Sequence, residues 1–181
     1  MTTQIFLERS FDPPISADDV RERARVSRWC LEMYRVDWCE SLLSSDGRRM
    51  VCWFTAPDAE STRAALTQAG AEILRLWAGT LHDAPQPARP NVLVARSFDT
   101  PVALESVQAI EDAGAWCLEA HHVRFARTLF SADHRRMLCL YEAPDAESVR
   151  LAQRQAGMPL DDVWAFTRVE PSEMHPPPPP A

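Results

Sequence analysis

The chain has 181 residues, a formal net charge of −7, 46% hydrophobic residues, five glycines and no lysine among its nineteen basic residues. Without a lysine amine, Schiff-base chemistry, pyridoxal-phosphate attachment and a P-loop are excluded, and the scattered glycines form no phosphate cradle. Acid outweighs base in both halves, which speaks against nucleic acid as a partner. No run of 18 apolar residues and no charged-then-apolar leader pattern occurs, so no membrane partner is expected and a cytoplasmic location is.

The chain opens with QIFLERSF (4–11), which reads as a strand stopped by Asp12-Pro13-Pro14. Ser16 is placed to cap a helix, with Asp18 and Asp19 in its first turn. Val20, Ala24, Ser27, Leu31 and Tyr34 then recur on one helical face, and Trp29 falls off it. YRVDWCESLLSSDGRRMVCWFTAP (34–57) reads as a hairpin turning at Asp46-Gly47 in a two-residue loop. Asp58 caps a second helix that Gly70 ends, and EILRLWAGTL (72–81) is the closing strand. DAPQPARP (83–90) has linker character.

The same order then returns. RRMVCWFTAPDAESTR (48–63) reappears as RRMLCLYEAPDAESVR (135–150), and a shift of 87 residues aligns residue 5 to about residue 83 without a gap. The helix following the second copy's first strand is expected to start at Thr100 with Pro101 in its first turn. Gly157 ends the next helix, and DDVWAFTRVE (161–170) is the last strand. The order β-α-β-β-α-β is that of the ferredoxin-like unit, so the fold class is α+β with two tandem ferredoxin-like repeats. The expected boundaries are 1–84 for the first repeat, 85–90 for the linker, 91–171 for the second repeat and 172–181 for a disordered polyproline tail. MVCWFT (50–55) and MLCLYE (137–142) are apolar on both alternating faces, which predicts repeats packed sheet to sheet as a monomeric fused pseudo-dimer.

FLERSF and VLVARSF, the WCESLLSSDGRRMVC hairpin and the APDAESxR stretch together resemble a family of small ferredoxin-like domains of unknown function, one branch of which binds nickel. The resemblance spans residues 4–82 and 91–170 and implies a small-molecule or metal-ion ligand, with a divalent transition metal such as nickel as the cofactor it allows; none is certain. Where many members carry His, this chain has Glu40 and Arg127, and Arg cannot bind a metal, so weak nickel affinity is expected.

A charge inside an apolar strand must be paired or used. That criterion selects Arg9, Arg96, Asp37, Glu40, Arg124 and Arg127 as ligand-binding candidates, together with Glu8 and Glu142. Arg9 and Arg96 are repeat equivalents that can converge on an anion between the sheets; the simpler alternative pairs Arg9 with Asp37. Asp37 aligns with Arg124 and Glu40 with Arg127, a reversal of charge that can sort one copy against the other, either as a Glu40–Arg127 pair or with Arg127 held by Glu142. His121 and His122 are the only adjacent histidines and the metal candidates, with Glu119 or His134 as a third ligand. The five cysteines form no CxxC pair and read as free thiols. No catalytic motif emerges. The sequence therefore supports a non-enzymatic protein holding a small ligand or metal between or beside two fused repeats. The alternative is a cofactor-independent enzyme of the dimeric α+β barrel type, working in an inter-sheet cavity.

Overall fold

The computed structural model describes residues 1–171, so the polyproline tail expected at 172–181 lies outside the described residues. The first repeat contributes β1 (Thr3–Ser10), α1 (Ala17–Met33), β2 (Asp37–Ser44), β3 (Arg49–Ala56), α2 (Ala59–Gln68) and β4 (Arg75–Asp83). The second contributes β5 (Val92–Ser97), α3 (Leu104–Ala113), α4 (Ala115–Ala120), β6 (Arg124–Ser131), β7 (Arg136–Glu142), α5 (Ala146–Gln155) and β8 (Asp162–Val169). Both follow the βαββαβ order, so the chain is an α+β protein of two ferredoxin-like repeats.

Local chemistry explains most boundaries. Ser16 and Asp19 form a reciprocal capping box: the Ser16 hydroxyl accepts from the Asp19 amide at 3.2 Å and the Asp19 carboxylate from the Ser16 amide at 2.7 Å. Asp58 and Asp145, each following a proline, cap α2 and α5 by accepting from the amides of Ser61 and Ser148 at 2.7 Å. Gly70 and Gly157, both at φ +71°, take the left-handed conformation just beyond those helices.

Three boundaries differ from the expectation. The hairpin around Asp46-Gly47 uses the four residues between Ser44 and Arg49 instead of two. Asp46 is occupied as an acceptor for the Ser44 hydroxyl at 2.5 Å and the Arg48 amide at 3.0 Å, which favours the wider loop. β4 begins at Arg75, not Glu72. The second copy's first helix starts at Leu104, not Thr100, because its N-cap is Ala103 and no side chain is there to hold an earlier turn. That helix is also broken at Gly114, whereas α1 is continuous.

The chain divides into two compact units, and the division falls inside strands. Among the described residues the first unit comprises Met1–Ala78 and 167–171; the second comprises Gly79–Phe166. In the first unit β3 lies between β1 and β2, both antiparallel, with Leu7 opposite Cys52 and Arg9 opposite Met50. Trp77, at the start of β4, reaches β1 by donating from Nε1 to Glu8 at 2.9 Å and tilting against Phe6. In the second unit the order is β8-β5-β7-β6-β4, every neighbour antiparallel.

Each unit has its own core beneath its helices. Ile5, Leu7, Val20, Leu31, Met50, Phe54 and Val169 are buried together in the first. Val92, Val94, Val107, Leu118, Met137, Tyr141 and Val163 are their counterparts in the second. The alternate strand residues Phe6, Val51, Leu93, Leu138 and Leu140 are buried as well, as expected from strands apolar on both faces. Trp29 lies off the buried stripe of α1 and is 54% exposed.

Candidate functional site

The first unit contains a cavity of about 220 Å³ between its sheet and its two helices. Its walls come from β1 (Leu7, Arg9), α1 (Val20, Ala24, Ser27, Leu31), β2 (Trp38, Ser41), β3 (Met50, Cys52, Phe54) and the end of α2 (Leu66, Ala71). The alternation of β1 places Arg9 on the same face as Leu7, so the apolar strand carries one guanidinium into an apolar space. Its Nε is buried and has no hydrogen-bond partner. The guanidinium lies over the Phe11 ring, 5.0 Å from its centre, and Arg23 approaches the same ring at 5.5 Å. Burial lowers the Arg9 pKa from its ordinary value; Cys52 and Glu72 oppose this only in part, and the neighbouring Arg23 adds to it.

The remaining polar groups of the cavity are engaged with one another. Trp38 Nε1 donates to Ser41 Oγ at 3.0 Å, and Ser41 Oγ donates to Cys52 Sγ at 3.0 Å. Burial pushes the Cys52 thiol up to about 11, so it remains a neutral thiol at neutral pH.

In the second unit Arg96 takes the equivalent place and is fully buried. Its Nη2 donates to Tyr141 Oη at 3.4 Å and to Gln153 Oε1; Tyr141 Oη in turn donates to Glu111 Oε1 at 2.8 Å. Glu111 is only 7% exposed, and burial raises its carboxyl pKa from 4.5. Burial also works against the Arg96 charge, but Cys139, Tyr141 and Glu111 more than offset it and hold the Arg96 pKa above its ordinary value. Arg96 Nε, Arg96 Nη1 and Gln153 Nε2 are buried without partners, so the cluster is incompletely satisfied.

Arg9 thus lies beneath the helices of the first unit and Arg96 beneath those of the second. Arg9 does not meet Asp37: Asp37 lies opposite Thr55 and Arg9 opposite Met50, at the two ends of β3, and Asp37 is exposed. Glu40 is buried at a bulge of β2 and pairs with Arg168 Nε at 3.0 Å. Arg127 meets Asp83 on β4 at 2.5 Å. Glu142 pairs with Arg124 at 3.6 Å and accepts from the Arg89 amide, while Arg124 also donates to the Pro87 carbonyl. The charge reversal at 40 and 127 is therefore matched by opposite charges on the ends of the two last strands.

His121 shares a hydrogen bond with Gln155 Oε1 at 3.1 Å, and His122 is exposed with φ +56°. His134 stacks on Phe130 in the β6–β7 turn. Among the described residues no three His, Cys, Asp or Glu side chains gather as a metal-holding group, so neither Glu119 nor His134 completes a site with the adjacent histidines.

Glu111, Tyr141 and Gln153, which surround the second arginine, are residues that sequence reasoning missed. Their signal is the list of differences between the repeats: Ala24, Phe54 and Leu66 in the first copy become Glu111, Tyr141 and Gln153 in the second, and all cluster around one shared arginine.

The model of the nickel-responsive SCO4226-like family matches residues 6–78 and again 93–165. The chain belongs to that family. It is a tandem SCO4226-like protein, carrying two copies of the matched domain. No curated protein matches it. Solved structures extend the likeness at the level of the fold. A putative chlorite dismutase is 14% identical, with a TM-score of 0.53, over 93% of this chain and 95% of its own. A mutant chlorite dismutase from Candidatus Nitrospira defluvii is 12% identical, with a TM-score of 0.55, over 95% and 93%. These tandem SCO4226-like repeats thus share the fold of chlorite dismutases. The nickel response in the family's name finds no three-donor group among the described residues of this member.

Proposed function

We propose that the chain is a non-enzymatic binding protein that holds a small organic molecule inside its first ferredoxin-like unit. The observation that carries this reading is the 220 Å³ apolar cavity with the partnerless Arg9 Nε in its wall. An apolar cavity of about 150 Å³ is already enough for a benzene-sized molecule, so this space suits one somewhat larger. A buried donor without a partner costs about 1–3 kcal/mol, and a ligand acceptor would recover that. Nothing in the wall is set for catalysis. Cys52 is held as a neutral thiol, Ser41 spends its proton on Cys52, and no histidine or carboxylate faces the reacting volume except Glu22 at the rim.

Nickel is a weaker fit than an organic ligand, because the chain's own donors do not assemble. The five free cysteines, four of them buried, suit a reducing compartment such as the cytoplasm. We take the duplicated units to be residues 1–84 and 91–171, acting together as a monomeric pseudo-dimer.

The test is native mass spectrometry of the purified full chain, followed by ligand-observed NMR with benzene as a neutral probe. Wild type is expected to bind one benzene. Ala71→Met, which imports the larger side chain found at Met158, is expected to remove that binding. Benzene binding unaffected by Ala71→Met, or none in either protein, would count against the cavity. A parallel titration with nickel chloride is expected to show only weak binding.

A further inference from the structure

The two units place the same arginine under the same helices, but they surround it differently. Around Arg96 the second unit supplies a tyrosine hydroxyl, a glutamine amide and, behind the hydroxyl, the buried Glu111 carboxylate. The first unit has Phe54, Leu66 and Ala24 at those positions and Ala71 where the second has Met158. Every one of these exchanges removes from the first unit a polar group or bulk that the second has. What remains is a cavity bounded by Leu7, Val20, Leu31, Met50 and Phe54.

The helices differ in the same sense. A Cβ at Gly114 would lie 2.5 Å from the Ala156 Cβ, so α3 and α4 close onto α5 only because position 114 is glycine. The first unit has Ser27 at that position and Ala69 opposite, and both line its cavity. The second unit's arginine is backed by a built-in carboxyl group, and the first unit's arginine borders an open cavity.

We infer that the first unit's cavity takes a small organic monocarboxylate, whose carboxylate meets Arg9 as the Tyr141–Glu111 pair meets Arg96. This rests on the reading of the cavity as a ligand site and names the ligand's chemical class. A single charge is favoured because only Arg9 brings a guanidinium into the wall, Arg23 being exposed at the rim. A doubly charged phosphate would bury a charge without a counterion. An apolar body is required because the Ser27 and Ser41 hydroxyls are spent on the protein's own acceptors and the rest of the inner wall is aliphatic, aromatic or sulfur-bearing. Among the described residues neither Arg9 nor Arg23 makes an ion pair, and Glu72 acts on Arg9 through its field without a direct contact. Burial works against both charges, and it lowers the Arg9 pKa, whereas Cys139, Tyr141 and Glu111 more than offset it at Arg96.

The experiment is calorimetric titration of the full chain with phenylacetate, its neutral isostere phenylacetamide, and inorganic phosphate. Phenylacetate should bind once per chain, at least tenfold more tightly than phenylacetamide, and phosphate should not bind. Arg9→Gln should lose tenfold or more for phenylacetate and leave phenylacetamide unchanged. Ala24→Glu, which builds the Glu111 carboxylate into the first unit, should abolish phenylacetate binding, and it provides a second test should Arg9→Gln fold poorly. Equal affinities for phenylacetate and phenylacetamide in wild type would overturn the carboxylate assignment while leaving the cavity reading intact. Two phenylacetates per chain would overturn the asymmetry between the units. No binding of any organic probe, benzene included, would remove the cavity reading and this inference with it.

Discussion

Arg9 and Arg96 stand at one position in two copies of one fold, yet only Arg96 has a carboxylate built in behind it. The second unit spends Tyr141, Glu111 and Gln153 on its arginine, and these side chains make it a polar core with fixed occupants. The first unit keeps the cation and dispenses with the occupants. Duplication permits this, because one copy can carry the structural demand while the other retains a space. A homodimer of identical domains would have to satisfy both demands with one set of residues.

The strongest test of that contrast is to delete the built-in anion. Glu111→Ala leaves the buried Tyr141 hydroxyl without its acceptor and Arg96 without the nearby carboxyl, and should cost about 2–4 kcal/mol in urea unfolding. Arg9→Leu removes a partly buried cation that has no acid partner, and it should change stability by less than about 1 kcal/mol in either direction. Similar losses for the two variants would break the comparison. Next in size is Gly114→Ala, which should cost about 1–3 kcal/mol because the added methyl meets Ala156. Ser27→Ala at the equivalent place gives up only the hydroxyl's bond shared between the Arg23 and Ala24 carbonyls and should stay within about 0.5 kcal/mol.

The pH dependence sharpens the same contrast. The Glu111 carboxyl pKa is raised by burial, so in the window just above pH 4.5 the folded state binds more protons than the unfolded one. Stability therefore falls as pH rises through that window, from the ordinary carboxyl value to the raised folded one. Urea midpoints for wild type should show this slope, and those for Glu111→Gln should lack it. The smallest expected effect concerns the reversed charges. A double-mutant cycle on Glu40→Gln and Arg168→Gln should give a coupling of about 1 kcal/mol, since Glu40 is buried. The Arg127–Asp83 cycle should give about half that or less, because Asp83 is 62% exposed.

Much of this frame is legible in the residues. Ser16, Asp58 and Asp145 announce their helices by capping, Gly70 and Gly157 end two of them, and the 87-residue shift gives the second copy's order from the first. The arginines were legible too, since a charge in an apolar strand stands out. Their surroundings were not. Glu111 reads as one more solvated acid on a helix until that helix is seen to turn it under Tyr141, and the break at Gly114 that helps bring it there carries no proline to announce it. The charge reversal at Glu40 and Arg127 was visible, but its partners were not. Arg168 and Asp83 lie on final strands whose ends belong to the compact unit of the opposite repeat, and no local pattern predicts that.

That exchange of strand ends has a consequence for how the chain is assembled as it is made. Arg127 meets Asp83 across 44 residues, a pair that can form soon after residue 127 leaves the ribosome. Glu40 must wait for Arg168, 128 positions further on, and Val169 completes the core of the same unit. Loop-closure entropy alone makes the longer connection dearer by about 1 kcal/mol, and such distant contacts slow folding. The half that is translated first is therefore the half that finishes last. The core around its cavity is completed only when the last strand of the second repeat has been made.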